Sequence, residues 1–123
     1  MNRVVIWQRV EGAVVFFAGI WIYSALGGGF AWWLALLLFF APDLAFAGYA
    51  GGPKIGAAVY NLVHLYAFGL MLLMLGSVIG NGGMMALAAL WLGHAGFDRM
   101  LGYGLKTDAG FGHTHLGPIG RNR

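Results

Sequence analysis

Two long stretches of this chain, residues 12–42 and residues 55–97, contain no Asp, Glu, Lys or Arg. A helix needs about 20 residues to cross the ~30 Å apolar core of a bilayer, so each stretch can hold most of two crossings. Each stretch is interrupted near its middle by a glycine-rich segment, residues 27–29 and residues 80–83. Such segments end helices and form tight turns. The sequence therefore predicts four membrane helices arranged as two hairpins.

The expected fold is an all-α bundle of four transmembrane helices followed by a short polar tail. We predict the helices at about residues 4–26, 31–49, 55–79 and 84–101. Only 9% of the residues are charged, whereas a soluble domain has about a quarter. Residues 102–123 are too short and too polar to span a bilayer. We expect this tail either to fold back as a lid or to lie disordered at the headgroups.

All seven Lys and Arg residues fall on one side of the four-helix topology, namely Arg3, Arg9, Lys54, Arg99, Lys106, Arg121 and Arg123. The positive-inside rule places this side in the cytoplasm. We therefore expect a multi-pass protein of the bacterial inner membrane with both termini cytoplasmic and with membrane lipid as its surroundings. The cations are scattered rather than clustered, so nucleic acid is not an expected partner. Glycines spaced four apart, Gly48, Gly52 and Gly56, are compatible with a homodimer.

Three acidic residues and two histidines lie inside the predicted helices, and these are Glu11, Asp43, His64, His94 and Asp98. Ionisable groups in hydrocarbon are costly, and they usually face the interior of a bundle and mark a functional site. At a rise of 1.5 Å per residue, all five lie roughly 5–13 Å from the cytoplasmic helix ends. All four helices therefore contribute to one polar layer in the cytoplasmic half of the membrane.

The residue types in this polar layer suit a metal centre. His94 and Asp98 are four residues apart, and Asn61 and His64 are three apart, so each pair shares a helix face. Helix bundles build metal sites from inward-facing carboxylates and carboxylate–His pairs of this kind. Because the chain has no cysteine, the set suits one or two Zn, Fe or Mn ions. The residues expected to support the ligands are Tyr60, Asn61 and Arg99.

Each member of the layer also has a structural interpretation. Asp43 follows Pro42 and can cap the helical segment that restarts after the proline. Asp98 and Glu11 can pair with nearby arginines, and a single membrane histidine is often a hydrogen-bonded structural group. A haem between the two histidines would have to bury three carboxylates unpaired, so it suits this layer less well than a bare metal ion.

Six motifs together resemble one known family: residues 9–12, Pro42-Asp43-Leu44 with Gly48-Tyr49, Tyr60-Asn61 with His64, residues 94–99, residues 102–106 and residues 114–117. This pattern resembles the small bacterial membrane family catalogued as domain of unknown function 4260. The resemblance covers nearly the whole chain. It implies a four-helix membrane protein and no particular activity, and it includes His115 rather than His113.

The leading functional hypothesis is a metal-dependent enzyme that hydrolyses a lipid or other amphiphile at the cytoplasmic leaflet. A bound metal ion generates hydroxide near neutral pH, with Glu11 or Asp98 as a general base and His115 of the tail as an acid or base. A di-iron oxidation would use a similar ligand set. The alternatives are a proton- or cation-coupled transporter or channel and a non-catalytic partner subunit of a larger membrane complex.

Overall fold

The computed structural model describes residues 2–119, which are predominantly helical. The elements are α1 (Arg3–Ala25), α2 (Trp32–Phe40), a 3-10 helix (Ala41–Gly51), α3 (Pro53–His64), α4 (Tyr66–Ile79), α5 (Gly82–Leu101), β1 (His113–Thr114) and β2 (Gly117–Pro118). The two short strands pair antiparallel and form a small hairpin in the tail. The predicted helical class is confirmed, while the arrangement within the predicted helices differs at two places.

The predicted helix 31–49 changes its geometry at its middle. It is α-helical to Phe40 and then continues as a 3-10 helix from Ala41 to Gly51, with Pro42 at its first turn. A proline has no N–H to donate and its ring clashes with the preceding turn, so it does not continue an α-helix. The change places Asp43 at the start of the tighter helix rather than in the middle of an α-helix.

The predicted helix 55–79 is broken at Leu65, whose backbone is extended with ψ 141°. The axes of α3 and α4 differ by 50° across the break. Two side chains of α5 satisfy carbonyl groups at the end of α3: Trp91 Nε1 donates to Val63 O at 2.8 Å and Arg99 Nη2 donates to His64 O at 3.4 Å. Unpaired helix-end carbonyls are costly when buried, so these contacts stabilise the break.

Within residues 2–119, two helical segments are long and apolar enough to cross a membrane, α1 and the continuous segment Trp32–Gly51. The bent pair of α3 and α4 makes a third if it counts as one span. The predicted number of four is therefore not confirmed. Helix α5 lies outside this count because it carries several polar side chains in its second half, including His94, Asp98 and Arg99.

Helix α5 is the centre of the fold, since it packs against α1, α2 and α4. Its contact with α1 is close because glycines face each other. A Cβ atom on Gly19 of α1 would lie 2.6 Å from the backbone nitrogen of Gly93, and one on Gly12 would lie 2.5 Å from Arg99 Cβ. Small residues let helix backbones approach in this way within a membrane. The close approach surrounds the polar half of α5 with other helices.

Candidate metal centre

Four of the five predicted ligands meet at one point. Asp43 comes from the first turn of the 3-10 helix, His64 is the last residue of α3, and His94 and Asp98 lie one turn apart on α5. One ligand atom from each of these residues lies within 4.8 Å of the other three. The regular helix before Pro42 ends next to Asp43, and α3 ends at His64 because of the break at Leu65. These two irregularities therefore help to position two members of the group. We call these four residues the Asp/His cluster.

The nitrogen–oxygen distances in the cluster match those between ligands of one ion. His64 Nε2 lies 3.3 Å from Asp43 Oδ1 and 3.5 Å from Asp98 Oδ2. His94 Nε2 lies 3.1 Å and 3.3 Å from the same two oxygens. Two ligand atoms bound tetrahedrally to one ion at ~2.0–2.2 Å are about 3.3–3.6 Å apart. Three of the four nitrogen–oxygen distances fall in this range, and all four ligand atoms lie within 4.8 Å of one another, so the group is compact enough to surround one ion.

The hydrogen bonding of His64 also points to a shared cation. Its Nδ1 lies 2.8 Å from the carbonyl oxygen of Tyr60, and because a carbonyl only accepts, Nδ1 carries the proton. A neutral ring then presents the lone pair of Nε2 to Asp43 and Asp98, whose ionised carboxylates also only accept. Such a convergence of acceptors requires a metal ion or a shared proton. Metal-binding histidines are commonly anchored through the other nitrogen to a carbonyl group in this way.

The cluster is buried on all sides but one. His64 and His94 are fully buried, Asp98 is nearly so, and the side chain of Asp43 retains 34% of its accessible surface. Buried carboxylates are normally paired or bound to metal ions, because an isolated charge in an apolar interior is very costly. Asp43 therefore marks the side from which water or a ligand can reach the cluster.

Aromatic rings hold both imidazoles in place. The ring of Tyr60 stacks on His64 at 3.7 Å between centroids, and Phe46 stacks on the other side of the tyrosine at 5.6 Å. Phe39 and Phe40 contact His94 edge-on at 5.4 Å and 5.8 Å. These contacts fix the ring orientations, which preorganises the ligand atoms before any ion binds.

The family model described as "Domain of unknown function (DUF4260)" matches residues 5–119. The chain belongs to the DUF4260 family. The match confirms the resemblance seen in the sequence motifs, and it includes every residue of the Asp/His cluster. Neither the curated proteins nor the solved structures give a significant match to the chain. The DUF4260 description carries no activity, so the chemistry has to be argued from the geometry of the cluster.

Glu11, the fifth predicted ligand, lies outside the Asp/His cluster. It is exposed on α1, next to the buried Gly12 that contacts α5. Arg99, predicted to support the ligands, contacts only the backbone of one of them, His64 O. Tyr60 touches a ligand directly, because its hydroxyl donates to Asp98 Oδ2 at 3.3 Å.

Asn61 contacts the tail rather than the ligands. Its side chain amide donates to Lys106 O at 2.8 Å, and its Oδ1 accepts from Lys106 N at 2.6 Å. The ring of Phe111, further along the tail, packs edge-on against Phe46 and Tyr49 of the 3-10 helix. The tail therefore lies against α3 and the 3-10 helix, the two elements that supply Asp43 and His64.

His115, the predicted acid or base of the tail, also lies outside the Asp/His cluster. Its Nδ1 accepts a hydrogen bond from Leu105 N at 2.8 Å. Partial burial and the positive charge of Arg99 lower the pKa of His115 below its usual value. The ring is therefore neutral at pH 7, a state in which it can accept a proton but not donate one as an imidazolium.

Two features of the site were not predicted from the sequence: the aromatic residues that contact the imidazoles, and the place of Lys106 next to Tyr60. Phe39 and Phe40 lie only a few residues before Asp43 in the chain, and this proximity could have indicated that they are near the cluster. Lys106 belongs to one of the family motifs, but from the sequence it was interpreted only as one of the cations that indicate membrane orientation. Its ammonium group lies 4.9 Å from the ring centroid of Tyr60.

Tyr60→Phe should weaken zinc binding by about tenfold, because it removes the hydroxyl that orients Asp98; losses of a supporting hydrogen bond are typically 10–100-fold. Competition with a chromogenic chelator measures this affinity in detergent-purified protein. Tyr23→Phe is the matched control, since Tyr23 bonds to Phe30 near the first glycine turn and not to the cluster. Equal zinc affinities of Tyr60→Phe and the wild type would contradict the assigned role of Tyr60.

Proposed function

We propose that this protein is a membrane-embedded, metal-dependent hydrolase that acts on a lipid or another amphiphile. The observation that carries the proposal is the convergence of two imidazole nitrogens and two carboxylate oxygens within 4.8 Å inside an apolar helical fold. Two histidines and a carboxylate with one accessible position are typical of catalytic zinc sites. Here His64, His94 and Asp98 are the buried three, and Asp43 is the member open to water.

The proposed chemistry follows from this division of the cluster. His64, His94 and Asp98 would hold a divalent ion, and the chemistry that such an ion would supply is a lower pKa of water, about 7, and polarisation of an ester or phosphoester oxygen. Asp43 is placed either to complete the ligand set or to accept the proton of that water. Zn, Fe and Mn all suit nitrogen and oxygen ligands, and the size of the cluster favours a single ion.

We propose a topology of four crossings made by α1, the segment Trp32–Gly51, the bent pair of α3 and α4, and α5. This topology is supported by the packing of α5 against α1, α2 and α4. A helix that is covered by other helices can cross a membrane without an apolar surface of its own. The five cations within residues 2–119 then lie on one side, which the positive-inside rule assigns to the cytoplasm of a bacterial inner membrane. The cluster and the tail that packs beside it lie toward the same side.

The test of the proposed activity uses full-length protein reconstituted into vesicles of phosphatidylethanolamine and phosphatidylglycerol. We expect zinc-loaded protein to release a fatty acid or a phosphorylated headgroup, detected by mass spectrometry of the lipids. Asp98→Asn should reduce the rate by at least about 100-fold, because it removes an anionic ligand of the ion. His113→Ala, at an exposed tail histidine, is the matched control. Absence of turnover with a fully loaded site would contradict the hydrolase.

A second candidate, a proton- or cation-coupled transporter, has one observation in its favour. The break between α3 and α4 immediately follows His64, and broken helices form the ion sites of many transporters. Transport would appear as proton or cation flux across the same vesicles without any change in the lipids. A non-catalytic partner subunit would show neither turnover nor flux.

A further inference from the structure

Two buried cations lie beside the Asp/His cluster without a carboxylate at ion-pair distance, although Asp98 acts on both of them over a longer range. Lys106 is 5% exposed and Arg99 is 4% exposed. Among residues 2–119, every carboxylate ion pair described within 4.0 Å of a side chain nitrogen joins a histidine of the cluster to Asp43 or Asp98. The guanidinium nitrogen Nη1 of Arg99 is also buried without a hydrogen-bond partner. Buried charges are rarely left without a counter-ion.

The backbone of Lys106 is held firmly next to the cluster. Its N–H and carbonyl oxygen both bond to the side chain of Asn61, and the residue forms a bridge with Thr114 of the tail hairpin. The ammonium nitrogen lies 3.9 Å from the ring centroid of Phe111 and 4.9 Å from that of Tyr60. Tyr60 in turn stacks on His64 and bonds to Asp98.

With a divalent metal ion bound, the Asp/His cluster would not neutralise the charges of Lys106 and Arg99. A divalent ion and the carboxylates of Asp43 and Asp98 sum to zero, so Lys106 and Arg99 remain as two uncompensated positive charges. A low-dielectric site with excess positive charge attracts anions strongly. The contacts of Lys106 with two rings offset part of its desolvation, but they supply no negative charge.

We propose that Lys106 binds the phosphate group of the substrate beside Asp43, an inference that rests on the proposed hydrolase. The chemistry recognised is a phosphate oxyanion, which a lysine binds as a point charge. Arg99 adds positive potential from the α5 side of the cluster. A membrane phospholipid and free phosphate both present this group, so the experiment separates the two sources.

The experiment measures binding by calorimetry to full-length, zinc-loaded protein in a non-ionic detergent. The probes are inorganic phosphate, a short-chain phosphatidic acid and a short-chain diacylglycerol that lacks the phosphate. Lys106→Met keeps the length and the ring contacts of the side chain but removes its charge, and Lys106→Gln is a second neutral variant. Lys106→Arg keeps the charge, and Lys54→Met removes an exposed lysine at the start of α3.

We expect both neutral variants to bind phosphatidic acid at least about tenfold more weakly than the wild type, Lys106→Arg to retain most of the affinity, and Lys54→Met to be unchanged. Binding of phosphatidic acid alone identifies a lipid headgroup, and equal binding of inorganic phosphate identifies the free anion; both support the site. Wild-type affinity in the neutral variants, an equal loss in Lys54→Met, or equally tight binding of diacylglycerol would overturn it.

The zinc content of each variant separates this inference from the proposed function. Zinc retained in a neutral variant together with weakened phosphatidic acid binding assigns the loss to the anion site alone. If the wild type holds zinc and binds phosphatidic acid through Lys106 but releases no lipid product in vesicles, the anion site stands and the hydrolase fails. If the wild type holds zinc and the neutral variants bind phosphatidic acid normally, the anion site fails and the metal centre stands.

Discussion

His94→Ala should reduce the affinity for zinc by at least about 100-fold, which corresponds to about 2.7 kcal/mol. The substitution removes one of the four converging ligand atoms, a nitrogen 3.1 Å from Asp43 Oδ1 and 3.3 Å from Asp98 Oδ2. It also removes a neighbour that contacts the carboxylates of both Asp43 and Asp98. Chelator competition and elemental analysis of detergent-purified protein, prepared without a histidine tag, measure the loss.

The control for His94→Ala is His113→Ala, which removes an exposed histidine of the tail. His94→Gln is a second variant that fills most of the space of the buried imidazole, so it separates loss of a ligand from loss of packing. Both cluster variants should lose zinc while His113→Ala keeps it. Equal zinc contents in all three proteins would show that the metal is bound elsewhere.

Gly96→Ala should lower the free energy of unfolding by about 2–3 kcal/mol, because a forced contact in a tightly packed core typically costs 1–3 kcal/mol. A Cβ atom at Gly96 would collide with the backbone of α1, at Phe16 N, at 2.6 Å from Gly12 O and at 2.8 Å from Val15 C. Backbone atoms cannot move aside as a flexible side chain can. The helices would have to separate, which would also shift the face of α5 that carries His94 and Asp98.

Gly82→Ala is the matched control for this prediction, since it lies at the start of the same helix and a Cβ there meets nothing within 4 Å. It should be neutral or slightly stabilising, because alanine forms helices better than glycine. Thermal unfolding in detergent should place the midpoint of Gly96→Ala roughly 10 °C below that of Gly82→Ala. Equal midpoints would contradict the close packing of α1 against α5.

The depth of the polar residues was predictable from the sequence because the rise of a helix per residue is nearly constant. That single quantity grouped Asp43, His64, His94 and Asp98, which the structure brings within 4.8 Å. Depth does not give the direction around the helix axis. Glu11 has a similar depth but lies next to Gly12, the residue that contacts α5, and successive residues point about 100° apart. Glu11 therefore lies on an exposed face of α1, outside the cluster.

The break after His64 was not predictable from local sequence, because Leu65 and its neighbours include no proline or glycine. The break depends on hydrogen bonds from Trp91 and Arg99, which come from another helix. The fourth predicted span is not confirmed by length and hydropathy, because the second half of α5 carries His94, Asp98 and Arg99, which lower its mean hydropathy. Hydropathy measures suitability for lipid contact, whereas α5 packs mainly against other helices.

X-ray absorption at the zinc edge, on full-length protein loaded with one equivalent of zinc, tests the metal centre most directly. We expect nitrogen and oxygen neighbours of zinc at about 2.0–2.1 Å, with the outer-shell scattering of two imidazole rings, and loss of one ring's scattering in His94→Gln. The spectrum of fully hydrated zinc, or a wild-type spectrum without imidazole scattering, would show that the Asp/His cluster is not a zinc site.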